Sequence, residues 1–376
     1  MNLNYHKMKF LRLAFYVLIA QLVLSGCAGE AVEETSSSSA SDSSSSEINF
    51  DAYVGRNAST RTSVTDIDFL KRDIKNPDNF NAGFGVFARY HHISLLDTEH
   101  VTWNKDQNHW EYTNTRYWPS ERSVDFYAFA PYSDVPKLNN NFEIVFPANW
   151  SPVDLVYAKA EGKTKTDNPV TFTFKHALAR LSFDITANQT LEKNGAVIKV
   201  NEVKLYGEKE TIGIFRMEGR LNLKTGGWSP YDNGTRWFYT WTPDGKVEGE
   251  EDGKEDGEEN NKKNSIIYKL SAPPQLDYEH DKITNADDSY IFIIPQEKPK
   301  NFNLKITYTV EQGKFKEDVT VKKNLLDVLP GDSNPYFKGG KAYVFHFKLS
   351  LDPVKFDVKT TVGNWIGNEV KDEITI

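Results

Sequence analysis

Cysteine is almost absent from this sequence. Among 376 residues only Cys27 carries a thiol. A single cysteine cannot form a disulfide within the chain, and it cannot supply the paired thiolates of a structural zinc site. We therefore expect the fold to be held together without disulfides.

The sequence also lacks an excess of positive charge. It contains 45 Lys and Arg against 53 Asp and Glu, a net charge of −8. Residues 1–26 carry three of the positive charges and no acidic residue, so their removal would change the net charge from −8 to −11. Proteins that bind DNA or RNA present a basic surface. We therefore expect no nucleic-acid partner.

Catalytic signatures are missing as well. The sequence has no H-E-x-x-H pair, no G-x-S-x-G elbow and no Gly-rich phosphate loop. The densest group of histidines, at residues 91–109, lacks the spacing of zinc ligands, and we expect it on the surface. The many acidic residues nominate no general acid and base. We predict no enzymatic activity, no metal and no cofactor; a β-sandwich hydrolase is the least supported alternative.

The first residues have the order of a bacterial export signal. Basic residues within residues 1–12 precede an apolar stretch at residues 13–24, which is too short to cross a bilayer comfortably. The following Leu-Ser-Gly-Cys resembles a lipobox, in which the cysteine becomes the first, lipid-modified residue. We predict a lipoprotein signal peptide at residues 1–26 and lipidation of Cys27. The alternative is a chance cysteine after an ordinary cleavable signal.

A serine-rich segment follows the cysteine. Residues 36–46 are serine except for Ala40 and Asp42, and such sequence cannot bury enough apolar surface to offset the entropy cost of ordering it. We predict a flexible tether at residues 27–47. Its acidic start resembles the surface-export signal of lipoproteins in gut and oral anaerobes, which favours the cell surface.

The rest of the chain alternates apolar and polar residues as strands do. In residues 170–175, Val170, Phe172 and Phe174 alternate with threonine and lysine. The same pattern occurs in segments 181–185, 302–310, 343–349 and 354–358. A period of two places one face on a core and the other in water, as in antiparallel sandwiches. We predict an all-β fold with two β-sandwiches in tandem, at residues 48–178 and 179–376.

Two segments depart from this pattern. Residues 244–264 are rich in glycine and acidic residues and almost devoid of apolar ones. A calcium site is one reading, but the EF-hand spacing fails at Lys254, so we predict a disordered, self-repelling insertion. A short helix is expected around residues 64–71, where Thr65-Asp66 can cap its first turn.

Five blocks of the sequence coincide with a known family. They are Phe84–Ala88, Tyr117–Pro119 with Val124–Tyr132, Phe172–Leu181, Ile293–Gln296 and Asn364–Trp365. In this order they resemble segments of the fimbrillins, the subunits of type V pili in oral and gut anaerobes. The resemblance implies two transthyretin-like β-sandwiches in tandem. It also implies assembly by strand exchange: a trypsin-like protease cuts after an arginine, the first strand leaves, and the C-terminal strand of a neighbour fills the groove.

Both ends of the chain offer candidates for this exchange. The strand predicted to be displaced contains Ile48, Phe50, Ala52 and Val54. Arg56 and Arg61 follow in a polar stretch and are the candidate cleavage sites, although either can be an ordinary loop arginine. Ile374 and Ile376 mark the candidate donor strand, with an ordinary last strand of its own sheet as the alternative.

Aromatic residues form two groups, at residues 103–118 and 228–241. Most strand aromatics belong to a core, but exposed ones can stack on sugars or on a protein partner. We predict a structural and adhesive pilus subunit, exported as a lipoprotein to the outer membrane and the fimbria. Its partners would be other subunits and a host or bacterial surface ligand. The alternative is a monomeric, lipid-anchored module that binds a glycan or a peptide.

Overall fold

Strands make up nearly all of the chain that the computed structural model describes. The described residues are 46–54, 65–72, 81–146, 153–187, 195–216, 218–230, 236–244, 265–270, 275–276, 283–284, 291–297, 299–326, 336–349, 357–366 and 369–375. Cys27, Arg56, Arg61, Ile376 and the acidic residues 245–264 lie outside them. The prediction of an all-β sandwich protein is confirmed.

The described residues form 24 strands and one α-helix. The strands are β1 Phe50–Val54, β2 Phe84–Tyr90, β3 Ile93–Asn104, β4 His109–Tyr112, β5 Val124–Ala130, β6 Glu143–Phe146, β7 Val156–Lys163, β8 Val170–His176, β9 Ala179–Ala187, β10 Val197–Tyr206, β11 Gly219–Asn222, β12 Trp228–Pro230, β13 Phe238–Thr242, β14 Ser265–Lys269, β15 Gln275–Leu276, β16 Ile283–Thr284, β17 Ile291–Ile293, β18 Gln296–Glu297, β19 Asn303–Gln312, β20 Phe315–Asn324, β21 Tyr336–Phe337, β22 Lys341–Leu349, β23 Asp357–Ile366 and β24 Glu369–Thr375.

The helix α1, Ile67–Leu70, is short and capped as the sequence predicts. The Asp66 side chain accepts a hydrogen bond of 2.7 Å from the backbone N–H of Phe69, and Leu70 is buried. A single turn of 3-10 helix spans Lys165–Asp167. Among the described residues, no helix has the length and apolarity needed to span a bilayer.

The first sheet is curled, so that its two outermost strands meet. Its order is β1-β8-β7-β5-β2-β3-β4, yet β1 and β4 lie side by side. The Tyr112 hydroxyl of β4 donates a hydrogen bond of 2.8 Å to the carbonyl of Ile48, just before β1. Apolar side chains from all seven strands fill the enclosed space, which forms the first core.

The central strands of this sheet are buried on both faces. In β5, Phe126 and Ala128 face the first core, whereas Tyr127 and Phe129 belong to a second cluster on the other side. In β2, Phe87 likewise joins that second cluster. The blocks in β2 and β5 that resemble fimbrillin segments contain almost only apolar residues, because each strand packs against a core on both of its faces.

Residues after position 178 form a β-sandwich of two six-stranded sheets. One has the order β14-β13-β10-β19-β20 with β15 beside β10, and the other β16-β9-β22-β23-β24 with β17 beside β9. Their facing side chains make the largest core of the described chain. The alternation predicted for residues 302–310 is confirmed: Phe302, Leu304, Ile306, Tyr308 and Val310 are all buried.

One small sheet joins residues from both sides of the predicted domain division at 178/179. It has the order β12-β11-β6, and Arg220 of β11 pairs with Val145 of β6. Around it, Tyr127 and Phe129 share a cluster with Leu221 and Phe292. The division into residues 48–178 and 179–376 stays a prediction, and a sheet crosses it.

The strand β9 differs from its predicted pattern of one buried and one wet face. Leu181 and Phe183 face the core of the sandwich, but Arg180, Ser182 and Asp184 on the opposite face are also buried. Arg180 pairs with Phe292 and Ala342, which lie in the cluster shared with the first half. At Arg180, packing between the two halves therefore covers the face that local alternation assigns to water.

An ion-pair network covers the outer face of the β10-β19-β20 sheet. Lys305 Nζ lies 3.1 Å from a Glu202 carboxylate oxygen and 2.9 Å from a Glu210 oxygen, and Lys322 Nζ lies 2.8 Å from the other Glu210 oxygen. The hydrogen bonds from Lys322 and Lys305, with their positive charges, lower the pKa of Glu210 from 4.5 to about 2. Glu210 therefore stabilises the fold above pH 4.5, and this contribution is lost as the pH falls towards 2.

We expect the substitution Glu210→Gln to lower the free energy of unfolding by about 1 kcal/mol at pH 7, because the pair is partly exposed. The difference from the unsubstituted protein should shrink as the pH falls from 4.5 to 2, where Glu210 becomes neutral. Urea unfolding at pH 7, 4.5 and 2 measures it. Glu317→Gln, at an exposed position of β20, is the control and should change little; an equal loss at all three pH values would contradict the assignment.

Candidate functional site at the first strand

The strand β1 inserts alternate side chains into the first core. Phe50 and Val54 are each 4% exposed, Ile48 just before the strand is fully buried, and Ala52 is half-buried. Between them, Tyr53 is 50% exposed. The four residues predicted for the displaced strand thus share one face of an extended segment.

The Phe50 ring is the main apolar contact of this segment. Its centroid lies 5.8 Å from the rings of Phe126 and Phe172 and 5.3 Å from that of Tyr112. Full burial of a phenylalanine side chain contributes roughly 1.5–3 kcal/mol. Removal of β1 would uncover these partner rings together.

The backbone of residues 46–54 has partners on two sides. β1 pairs in parallel with β8, from Phe50 opposite Val170 to Val54 opposite Phe174. Before the strand, the N–H of Ile48 donates to the Arg116 carbonyl and the N–H of Trp118 donates to the Ser46 carbonyl, each at 2.8 Å. The segment therefore closes the seam between β8 and the chain that follows β4.

β8 depends on β1 for most of its main-chain pairing among the described residues. Its other neighbour, β7, pairs with it only at His176 and Lys175, opposite Val156 and Tyr157. Residues 170–174 pair with β1 alone within the described strands. Loss of β1 would leave a row of unpaired backbone groups beside a row of buried apolar side chains.

Asn168 fixes the start of β1. Its Oδ1 accepts a hydrogen bond of 2.8 Å from the N–H of Asn49, and its Nδ2 donates one of 3.0 Å to the Glu47 carbonyl. The N–H of Val170 donates to the carbonyl of Asn49 at 2.8 Å. Sequence reasoning missed Asn168 because its partners lie about 120 residues away, and no local pattern indicates the contact.

The chain that follows residue 64 is anchored by a buried carboxylate. The side chain of Asp154 is 0% exposed. It accepts a hydrogen bond of 2.8 Å from the N–H of Thr65, and its other carboxylate oxygen lies 3.0 Å from His176 Nδ1. The Thr65 hydroxyl donates to the Asp154 carbonyl at 2.6 Å. Thr65 was expected only as part of a helix cap; Asp154 and His176 carry no local signal of this role.

Burial keeps the Tyr112 hydroxyl, which lies at the seam, protonated and able to donate a hydrogen bond. The pKa of Tyr112 is raised, chiefly because burial disfavours the phenolate. The hydroxyl donates to the Ile48 carbonyl and accepts a hydrogen bond of 3.0 Å from the N–H of Arg116. It therefore links β4, the segment before β1 and the following loop at neutral pH.

The candidate donor segment lies at the opposite end of the chain and at the edge of its own sheet. β24 pairs antiparallel with β23, with Ile374 opposite Val362, and it is the last strand in that order. Ile376 lies outside the described residues. Ile374 thus lies in the last strand of its own sheet, and its role as a donor stays a prediction.

Other candidates from the sequence do not converge on a site. His91 and His92 occupy the turn between β2 and β3. Within the described ranges, no group of three or more His, Cys, Asp or Glu side chains is arranged to hold a metal ion. Trp110 and Trp118 of the first aromatic group are buried, as expected of core residues, and Trp228 of the second is half-buried.

These features define a class of protein: an all-β sandwich protein whose N-terminal strand closes a curled first sheet. Residues 78–365 match the family model described as fimbrillin-like. The chain therefore belongs to the fimbrillin-like family, a family of fimbrial and cell-adhesion subunits at the cell surface. The resemblance seen in the sequence blocks is confirmed.

One curated protein and two solved structures are similar to this chain in part or in fold. A curated protein of Bacteroides uniformis that carries the name of a fimbrium subunit, Fim1C, is 31% identical over 140 residues, or 36% of this chain and 44% of that protein. The chain thus matches less than half the length of this relative. A crystal structure of a fimbrial protein from Bacteroides vulgatus is similar over 85% of this chain and 99% of that one, with a TM-score of 0.55 and 19% identity. One described as a cell adhesion protein, from Bacteroides uniformis, aligns over 85% of this chain and 98% of its own, with a TM-score of 0.49 and 17% identity.

We expect Asp154→Ala to lower the free energy of unfolding by about 3 kcal/mol, because it leaves the buried N–H of Thr65 and the ring of His176 without this acceptor. Urea unfolding followed by tryptophan fluorescence measures the loss. Asp134→Ala, at an exposed position of the same half, should change stability by less than about 0.5 kcal/mol. Equal effects of the two substitutions would show that Asp154 does not anchor the chain.

Proposed function

We propose that the chain is a pilus subunit that matures by proteolysis and assembles by β-strand exchange. In this proposal it is exported as a lipoprotein precursor, receives lipid on Cys27 and reaches the outer membrane. A protease then cuts after Arg56 or Arg61, and β1 leaves the first sheet. The position of β1 carries the proposal, because this strand closes the curled sheet and the segment with both arginines follows it directly.

The energetics of the seam favour replacement over simple loss. Without β1, the backbone of residues 170–174 and the rings of Phe126 and Phe172 would face water. Each main-chain hydrogen bond contributes about 1 kcal/mol, and each reburied phenylalanine more. A strand from another subunit would restore both contributions at once, whereas a ligand without a strand backbone would restore only one.

The buried carboxylate supports a cut between residues 55 and 64. Thr65 is held by Asp154, and Asp66 caps α1, so the chain after the cut stays attached to the first sheet. Residues before the cut are held only through β1 and its flanking bonds within the described chain. The cut therefore separates the part that leaves from the part that stays.

The last strand is suited to act as the donor. As an edge strand, β24 has one described neighbour, so its departure breaks a single line of main-chain bonds.

Limited trypsin digestion of residues 28–376, followed by mass spectrometry and size-exclusion chromatography, tests the proposal. The folded unit begins at Ser46, so this chain contains it entirely. We expect cleavage after Arg56 or Arg61, loss of β1 and growth of oligomers over time. The double variant Arg56→Ala, Arg61→Ala should keep β1 attached and stay monomeric under the same conditions.

A truncation at the other end separates cleavage from assembly. A chain that ends at residue 368 should be cut like the longer protein but should not polymerise, because it lacks β24. Addition of the cut full-length protein should then give only short oligomers, ended by the truncated subunit. A cut full-length protein that loses β1 and stays monomeric would contradict strand exchange and favour the monomeric, lipid-anchored binding module.

A further inference from the structure

An open cavity bordered by described residues lies in the second half of the chain, away from β1. Its volume is about 690 Å³, within the range of small-molecule sites. Described residues from four parts of the chain line it: the connection between β10 and β11, the start of β12, Arg236, and β18 with its described neighbours. We propose that this cavity binds a short, uncharged oligosaccharide, with one sugar ring against Trp228.

Trp228 is held in a fixed orientation at the wall of the cavity. Its Nε1 donates a hydrogen bond of 2.8 Å to the Ala177 carbonyl, and its ring meets Phe146 edge to face at 5.9 Å. Gly219 permits this position, because a Cβ there would lie 2.9 Å from Cε3 of the indole. A half-buried aromatic ring that is fixed in advance binds a sugar face without a further loss of side-chain entropy.

A buried amide beside the cavity has unused hydrogen-bonding capacity. Gln296 is 8% exposed and lines the cavity. Its Oε1 accepts a hydrogen bond of 3.1 Å from the N–H of Arg216, but its Nε2 has no hydrogen-bond partner among the described residues. The Nε2 atom itself is closed to solvent, so it would meet a ligand only after the amide turns towards the cavity; a ligand hydroxyl would then accept the hydrogen bond that Nε2 lacks.

The charges of the lining point to an uncharged, polar ligand. Among the described residues, three cationic side chains and three carboxylates line the cavity: Arg216, Arg236, Lys300, Glu208, Glu218 and Glu297. Their signs balance, so the wall attracts neither anions nor cations as a class. It offers donors and acceptors side by side, which matches hydroxyl groups, since each hydroxyl both donates and accepts.

An extended peptide fits the cavity less well. Peptides bind to sheets by adding main-chain bonds along a strand edge. The strands at this cavity, β12 and β18, are three and two residues long, so they offer little template. The proposed sugar site goes beyond the assembly role and does not depend on it, because none of its residues belongs to β1 or β8.

The test uses an array of neutral, sialylated and sulfated oligosaccharides together with five-residue peptides, probed with uncut residues 28–376. We expect binding to neutral oligosaccharides. For the neutral oligosaccharide that binds most tightly, saturation-transfer NMR with irradiation of the protein's aromatic protons should show transfer to the C–H protons of one sugar ring. Trp228→Phe keeps an aromatic ring, and Asn301→Ala removes an exposed polar group at the rim. Each should weaken binding about five-fold or more.

Thr320→Ala, at an exposed position of β20, is the control and should bind as the unsubstituted protein does. Circular dichroism checks each fold; if Trp228→Phe fails to fold, Asn301→Ala and the NMR transfer decide. Binding only to acidic glycans, only to peptides or to nothing on the array would overturn the proposal. So would binding that both cavity variants leave unchanged. Oligomer growth after trypsin is measured separately, so failure of the sugar site and failure of strand exchange are distinguishable.

Discussion

The parallel pairing of β1 with β8 is the constraint on which the first half of the structure depends. Among the described strands, residues 170–174 of β8 pair with β1 alone. β7 pairs with β8 only at the last two residues of that strand, Lys175 and His176. The same strand covers the rings of Phe126 and Phe172 and meets β4 across the seam. One five-residue strand therefore completes both the hydrogen bonding and the hydrophobic core of a curled sheet. In the proposed assembly, this strand would stabilise the precursor and, once removed, would leave a groove that another strand can fill.

The second half is connected to the first through layers rather than through a linker. β6 from the first half pairs with β11, and Tyr127 and Phe129 pack in the same cluster as Leu221 and Phe292. This junction does not involve β1. A cut after Arg56 or Arg61 would therefore open the first sheet without loosening the contact between the halves. Such a division suits a subunit that has to stay rigid along a fibre while one groove changes its occupant.

The sequence predicts those features that rest on local alternation, and it misses those that rest on distant contacts. Residues 170–176 and 302–310 lie as their period of two requires, because each is a strand with one face on a core. β9 breaks the rule, since the junction buries Arg180, and Asp184 is paired with His346 at 2.8 Å on the same covered face. Asn168 and Asp154 act on partners about 120 and 89 residues away. No window of neighbouring residues contains that information.

Hydrogen exchange at the backbone amides of β8 tests directly whether this strand depends on β1 for its main-chain pairing. Exchange would be followed by mass spectrometry on the intact protein, on the chain freshly cut between residues 55 and 64, and on its oligomers. We expect slow exchange at the amides of residues 170, 172 and 174, which point to β1, in the intact protein, fast exchange once β1 has left, and slow exchange again in the oligomers. Exchange that stays equally slow after β1 has left would show that β8 does not depend on this strand, and would contradict the account.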